Sequence, residues 1–209
     1  MRDYSGLFIT FEGIDGSGKT TQLQALRRTI EQSGREVLLV REPGGTVIGE
    51  KIRMILLDKE NIVMSKETEL LLYEAARSQI VREVISPALF AGKMVICDRF
   101  FDSSTAYQGY GRGLPLEDVF FLNRFATGGI EPDLTFLLDI SARDARERMD
   151  GRDSVEDRLE MEGLAFMEAV RKGYLELSKN NRFVCLDARR PAAELEKEIE
   201  RTFWEVIQK

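Results

Sequence analysis

Short apolar, β-branched runs alternate along this chain with longer stretches in which apolar residues return every three or four positions. Leu7–Glu12 predicts a strand, and Leu23, Leu26 and Ile30 place residues 21–32 on a helix. Residues 37–40 predict a second strand, entered through Ser33-Gly34 and left through Arg41-Glu42-Pro43-Gly44-Gly45-Thr46. Ile52, Ile55 and Leu56 share one face of a short helix over 49–57, with 58–64 as its connection. Ser65 then caps a long helix whose first turn holds Glu67 and Glu69, where the helix dipole favours acids. Leu70, Leu71, Tyr73, Ala76, Ile80 and Val84 carry that helix on to Pro87, which is expected to kink or end it. Runs at 94–97, 134–138 and 183–186 complete the strands, closed by Asp98-Arg99, Asp139 and Asp187. Helices are expected at about 116–126, 142–149, 159–179 and 192–208, the last with Leu195, Ile199, Phe203 and Ile207 in one row.

Strands alternating with helices predict a parallel, three-layer α/β fold, read as one domain over residues 1–209. In such open sheets ligands sit beyond the carboxyl ends of the strands. The segments 13–20, 41–46 and 98–113 all leave such ends, so they are expected to line one cleft.

Composition narrows the partners. At 209 residues and 43% hydrophobic, the chain can bury one substantial core. A net charge of −6 and a pI near 5.0 argue against a general nucleic-acid binder, which would present a basic face. No run is long enough for a membrane span and the N-terminus does not read as a signal peptide, so a cytoplasmic protein is expected. Cys97 and Cys185 each lie in an apolar run and are expected to be small core residues in a reducing compartment. The chain has no histidine, which excludes a histidine base or histidine metal ligand.

The chemistry begins at Gly13-Ile14-Asp15-Gly16-Ser17-Gly18-Lys19-Thr20, which fits G-x-x-x-x-G-K-[ST] between a predicted strand and a predicted helix. Glycines there let successive backbone N–H groups turn toward a polyphosphate, Lys19 reaches the outer phosphates and Thr20 offers a hydroxyl to Mg²⁺. This phosphate cradle does not name its acceptor, because GTPases, ATPases, transporters and kinases all use it. Asp98 ends a buried strand beside it, where a carboxylate suits Mg²⁺ or its waters, and Arg99 is then placed to meet phosphate. By themselves residues 102–109 read as a polar loop running into a glycine turn, and 41–46 as an ordinary loop. Taken alone, Tyr73 reads as core and Arg77 as a solvated charge. Arg143, Arg146, Arg148, Arg152 and Arg158, interspersed with acids, read either as a solvated helix and turn or as a mobile lid supplying cations.

Taken together, Phe11-Glu12-Gly13 through Thr21, Arg41-Glu42-Pro43-Gly44-Gly45-Thr46, Asp98-Arg99-Phe100 with 102–109, and Asp157-Arg158-Leu159-Glu160 resemble the bacterial thymidylate kinases. Order, spacing and total length match, and R-E-P-G-G-T followed by D-R-F-x-D-S-x-x-A-Y-Q-G is specific to that family. The resemblance implies a three-layer α/β/α P-loop NTPase fold, a five-stranded parallel sheet and a small arginine-bearing lid at about 149–158. It implies transfer of the γ-phosphoryl group from ATP, with Mg²⁺, to dTMP by a homodimeric enzyme. ATP is then assigned to Gly13, Ile14, Asp15, Gly16, Ser17, Gly18, Lys19, Thr20 and Thr21, and Mg²⁺ to Thr20 and Asp98 with Asp15. Asp15 and Glu42 resemble the acids near the sugar hydroxyl and magnesium-bound water, with Pro43 beside them. Tyr73 stands where the family usually stacks a phenylalanine on thymine, and Arg77 resembles the residue that hydrogen-bonds the base. Arg53 and Arg99 resemble binders of the dTMP phosphate, and Ser104, Tyr107 and Gln108 line base and sugar, Tyr107 leaving no room for a 2′-hydroxyl. Lys19, Arg99 and a lid arginine, Arg152 before Arg158, are the expected catalytic residues, since this cradle lacks the arginine of eukaryotic members. The rivals are another small P-loop kinase, acting on a deoxynucleoside or a different monophosphate, and a nucleotide-dependent switch. A GTPase is disfavoured because no Asn-Lys-x-Asp motif occurs.

Overall fold

The structure is a computed structural model that describes residues 4–150, 158–159 and 161–207. Strands β1 (Leu7–Glu12), β2 (Val37–Arg41), β3 (Met94–Asp98), β4 (Leu134–Asp139) and β5 (Phe183–Asp187) form one parallel sheet in the order β2-β3-β1-β4-β5. The chain first winds outward from β1 to β2, returns to β3 between them, and then crosses to the other side of β1. That reversal leaves a crevice at the carboxyl end of β1. Register aligns the ends: Phe11 pairs with Asp98, and Asp98 with Arg41.

Alternating side chains divide the core into two layers. Phe8, Val95 and Cys97 face Ile80, Ile85 and Leu89 on one side. Ile9, Phe11, Ile96 and Phe136 face Leu23, Leu26 and Ile30 of α1 (Lys19–Gln32) on the other. Leu195, Ile199 and Phe203 of α9 (Ala192–Ile207) join this second layer, and Ile207 lies at its partly buried edge. Helices on both faces explain why the strands are mostly apolar rather than alternating with polar residues, the buried Thr10 and Thr135 satisfying each other across β1 and β4 at 2.8 Å.

α2 (Val47–Leu57) starts two residues before the expected 49, because Thr46 Oγ1 accepts from the Gly49 N–H at 2.9 Å and caps it. α3 (Lys66–Ile80) begins after Ser65, whose Oγ accepts from the Thr68 N–H at 3.1 Å. Pro87 does not end this helix. A π-helical turn, Val81–Ile85, carries it into α4 (Ser86–Phe90), and the widened turn just before Pro87 relieves the ring's clash with an upstream carbonyl. The expected polar loop at 102–109 is also helical, as α5 (Phe101–Ser104) followed by a π-helical segment, Thr105–Gly111. Tertiary partners decide it: Asp102 is buried against Arg182, and Asn123 Nδ2 donates to Thr105 Oγ1 at 3.0 Å.

α6 (Leu116–Thr127) and α7 (Ala142–Met149) stand where the periodicity places them. α8 (Leu164–Leu177) starts after Gly163 rather than at 159, with Leu159 in the turn before it. Cys97 is buried as expected, whereas Cys185 is exposed, because β5 is an edge of the sheet. Of the expected lid, Arg152 and Asp157 lie outside the described residues, as does Glu160 of the neighbouring motif. Among the described residues no helix is long and apolar enough to cross a membrane.

Candidate active site

The glycine cradle turns between β1 and α1 through backbone angles open to glycine, with φ of 136° at Gly13 and 82° at Gly16. A Cβ at Gly16 would stand 2.5 Å from the carbonyl oxygen of Ala145 in α7, so the turn needs a bare backbone. Lys19 folds back over this turn, its Nζ donating to Gly13 O at 2.9 Å and Ile14 O at 3.1 Å, and 3.7 Å from Asp15 Oδ1. Burial and the neighbouring Arg99 press its pKa down, against the pull of Asp15. Gly16, Gly18, Lys19, Thr20, Thr21 and Asp98 line a cleft of about 460 Å³. Asp98 Oδ1 and Ser17 Oγ are both buried without a hydrogen-bond partner.

Arg99 follows β3 in the left-handed region, with φ 66°, a conformation that costs a non-glycine residue about 1 kcal/mol or more and so must be held by its surroundings. Its N–H donates to Phe11 O at 3.0 Å. Its Nη1 donates to Gly13 O at 2.9 Å, Tyr174 Oη at 3.1 Å and Ser103 Oγ at 3.3 Å. Its Nη2 donates to Asp15 Oδ1 at 2.6 Å and Tyr107 Oη at 3.3 Å, with the guanidinium carbon 5.2 Å from the centre of the Tyr107 ring. Burial works against ionising Asp15, yet Arg99 and then Lys19 hold its carboxyl well below the usual carboxylate range.

A second, narrower cleft of about 100 Å³ is lined by Asp15, Glu42, Pro43, Arg53, Tyr73, Arg77, Arg99, Ser104, Tyr107 and Gln108, among others. These are the ten residues the resemblance assigns to substrate, gathered from the cradle, the loop after β2, α2, α3, and Arg99 with the helical segment after it. Asp15, Glu42, Arg53 and Arg99 line both clefts, so the two open onto one another. Arg77 is not a solvated charge, being only 1% exposed. Its Nε donates to Glu42 Oε2 at 2.8 Å, its Nη1 to Glu74, to Ser104 Oγ at 2.9 Å and to Asn123 Oδ1 at 3.2 Å, and its Nη2 to Phe100 O at 3.2 Å. Glu42 Oε1 is buried with no such partner. Burial, with Glu74 adding to it and Arg77 opposing, pushes the Glu42 carboxyl up to about 7. Arg53 Nη1 donates to Pro43 O at 3.1 Å.

Arg158 points elsewhere. Its Nε donates to Leu56 O at 2.9 Å and its Nη2 forms an ion pair of 2.6 Å with Glu69, which is 1% exposed. Glu69 also accepts from Gln108 Nε2 at 2.8 Å and pairs with Arg112 at 3.1 Å. Sequence reasoning placed Glu69 only as a first-turn acid, and passed over Glu12, Ser103 and Tyr174, which surround Arg99. The one signal for Glu12 is a carboxylate closing an otherwise apolar strand just before the cradle.

The fold and the two joined clefts are those of a P-loop kinase of the nucleoside-monophosphate type, the glycine cradle opening on the narrower cleft. Residues 11–199 match the thymidylate kinase family model, and the chain belongs to the thymidylate kinase family. It is 50% identical over 197 residues to a thymidylate kinase of Desulfosudis oleivorans, covering 90% of this chain and 92% of that one. It is 50% identical over 196 residues to one of Halothermothrix orenii, covering 93% and 94% of the two chains. A thymidylate kinase of Desulforudis audaxviator is 56% identical over 175 residues, covering 83% and 78%.

Proposed function

We propose that the chain transfers the γ-phosphoryl group of ATP to the 5′-phosphate of dTMP, giving ADP and dTDP. The observation that carries this reading is the sharing of Asp15, Glu42, Arg53 and Arg99 between the cradle cleft and the Tyr73–Arg77 cleft. Such sharing would bring donor and acceptor phosphates to one place. The acceptor phosphate is already a nucleophile, so the protein need supply no strong base, only alignment and compensation of charge. A chain without histidine suits that chemistry.

The backbone from Gly13 to Thr21 and the Lys19 ammonium bind ATP. Arg99, fixed between Gly13 O and Asp15, reaches the acceptor phosphate and, with Arg53, offsets its charge. Arg77, immobilised by Glu42, Glu74, Ser104, Asn123 and Phe100 O, presents a rigid planar edge to the pyrimidine, on which Tyr73 stacks. Gln108 and Ser104 close the cleft, and Tyr107 bars a 2′-hydroxyl. The unpartnered Asp98 oxygen beside Lys19 and Thr20 suits a hard cation, so Asp98 and Thr20 would hold Mg²⁺, with Asp15 and Glu42 reaching its waters. Bound there, the ion would neutralise charge on the phosphates. Arg158 is committed to Glu69, so we assign the lid cation to Arg152.

We assign the chain as a homodimer of the cytoplasm. Val47, Met54, Leu71, Phe121 and Phe125 are exposed on α2, α3 and α6, three helices packed side by side, and a second copy would cover them.

Coupled ADP release over a panel of acceptors tests the reading. dTMP should be turned over faster than dCMP, UMP, AMP and thymidine by a wide margin. Equal or better turnover of any of these would assign a different kinase, and nucleotide hydrolysis indifferent to every monophosphate would indicate a switch.

A further inference from the structure

Glu12 is fully buried at the carboxyl end of β1, immediately before the cradle. A carboxyl taken so far from water must be hydrogen-bonded to persist, and each of its bonds leads to Arg99. Its Oε1 accepts from the Phe100 N–H at 2.7 Å. Its Oε2 accepts from Ser103 Oγ at 2.7 Å and Tyr174 Oη at 2.9 Å. The Phe100 N–H belongs to the peptide that follows Arg99, and the Arg99 N–H is held by Phe11 O at 3.0 Å. The left-handed backbone of Arg99, at φ 66°, is therefore clamped on both sides. The same Ser103 and Tyr174 hydroxyls accept from Arg99 Nη1 at 3.3 Å and 3.1 Å. Glu12 lines neither cleft, so its reach into the site runs through these groups.

We propose that Glu12 is a positioning residue for phosphoryl transfer, one oxygen fixing the backbone that launches Arg99 and the other fixing the two hydroxyls on which its guanidinium rests. The inference rests on the assignment of Arg99 to the acceptor phosphate. Arg99 also donates to Gly13 O, Asp15 and Tyr107, and without the Glu12 frame its guanidinium is left held from that side alone and shifts toward them. Displacing a phosphate-binding cation by about 1 Å costs on the order of 100-fold in turnover.

The test is a double-mutant cycle on the full chain, measuring kcat, the ATP dissociation constant and the melting temperature for Glu12→Ala, Glu12→Gln, Arg99→Ala and the Glu12→Ala/Arg99→Ala pair. Glu12→Ala should lower kcat by about 100-fold while ATP binding changes less than about threefold. Glu12→Gln keeps an acceptor for the Phe100 N–H and should recover about tenfold of the loss. In the Arg99→Ala background, Glu12→Ala should cost no more than about threefold, because the group it positions is gone. A kcat for Glu12→Ala within about threefold of wild type, whatever the melting temperature, overturns the proposal, and so does a loss that persists in full without Arg99. Should Glu12→Ala not fold, Tyr174→Phe and Ser103→Ala each remove one leg of the frame and enter the same cycle. Unchanged turnover by Arg99→Ala alone would instead remove the assignment of Arg99, an outcome distinct from either of these.

Discussion

Arg77 and Glu42 give the acceptor cleft a floor of buried charge. Arg77 pairs with both Glu42 and Glu74, each nearly inaccessible to water. Removing the cation leaves two buried carboxylates uncompensated, so Arg77→Ala is expected to destabilise the fold by about 3–5 kcal/mol, read from denaturant unfolding. Loss below about 1 kcal/mol would mean that water or a rearranged cation replaces it. The Glu42 carboxyl, raised from 4.5 to about 7, titrates higher in the folded than in the unfolded chain. Between those values the native state holds a proton that the unfolded state has released, so stability is greatest below the lower value and falls as pH rises through the upper one. Glu12 is raised to about 7 as well, by burial first and then by Asp102. Glu42→Gln should therefore remove about half of the fall in melting temperature between about pH 5 and about pH 8, and an unchanged slope would place the titration elsewhere. At this scale the sequence was legible where a motif named the residue, as with Lys19, Asp98 and Arg99. Arg77 needed the family resemblance, because nothing in a helical Tyr-Glu-Ala-Ala-Arg says that its arginine turns inward.

The elements of the sheet were readable because the central strands β1, β3 and β4 are buried on both faces and the edge strands β2 and β5 remain mostly apolar, which leaves compact apolar runs bounded by glycine or charge. The departures have separate causes. The helix runs on through Pro87 because a π-helical turn precedes it, and residues 101–111 are helical rather than a loop because partners distant in sequence hold them: Asp102 meets Arg182 at 2.7 Å and Gln108 meets Glu69 at 2.8 Å. Glu69 likewise read only as a first-turn acid, and its burial depends on Arg112 and Arg158 arriving from later in the chain. The cradle is the element whose local rule is strictest. Gly16→Ala forces a Cβ to 2.5 Å from the backbone of α7 at a φ of 82°. The variant is expected to weaken ATP binding by at least about tenfold in a direct titration, with a smaller effect on dTMP affinity. Equal weakening of both would show that the turn supports the whole cleft rather than the donor side.

For the molecule as a whole, the doubly wound sheet collects segments from three strand ends at one crevice, and the helices α2 and α3 beside it also carry exposed apolar surface. Phe121 and Phe125 are 69% and 71% exposed on α6, beside α3. Phe121→Glu with Phe125→Glu is expected to shift the mass in sedimentation from dimer to monomer, and a wild-type chain sedimenting as a monomer would contradict the assembly. The central claim is that cradle and acceptor cleft form one site joined at Asp15, Glu42, Arg53 and Arg99. A single molecule with adenosine and thymidine linked through their 5′ oxygens by five phosphates tests it most directly. The account predicts competition with both ATP and dTMP, and affinity at least about 100-fold above that of ATP alone, because the second half binds at high effective concentration. Competition with only one nucleotide, or affinity no better than ATP, would contradict it.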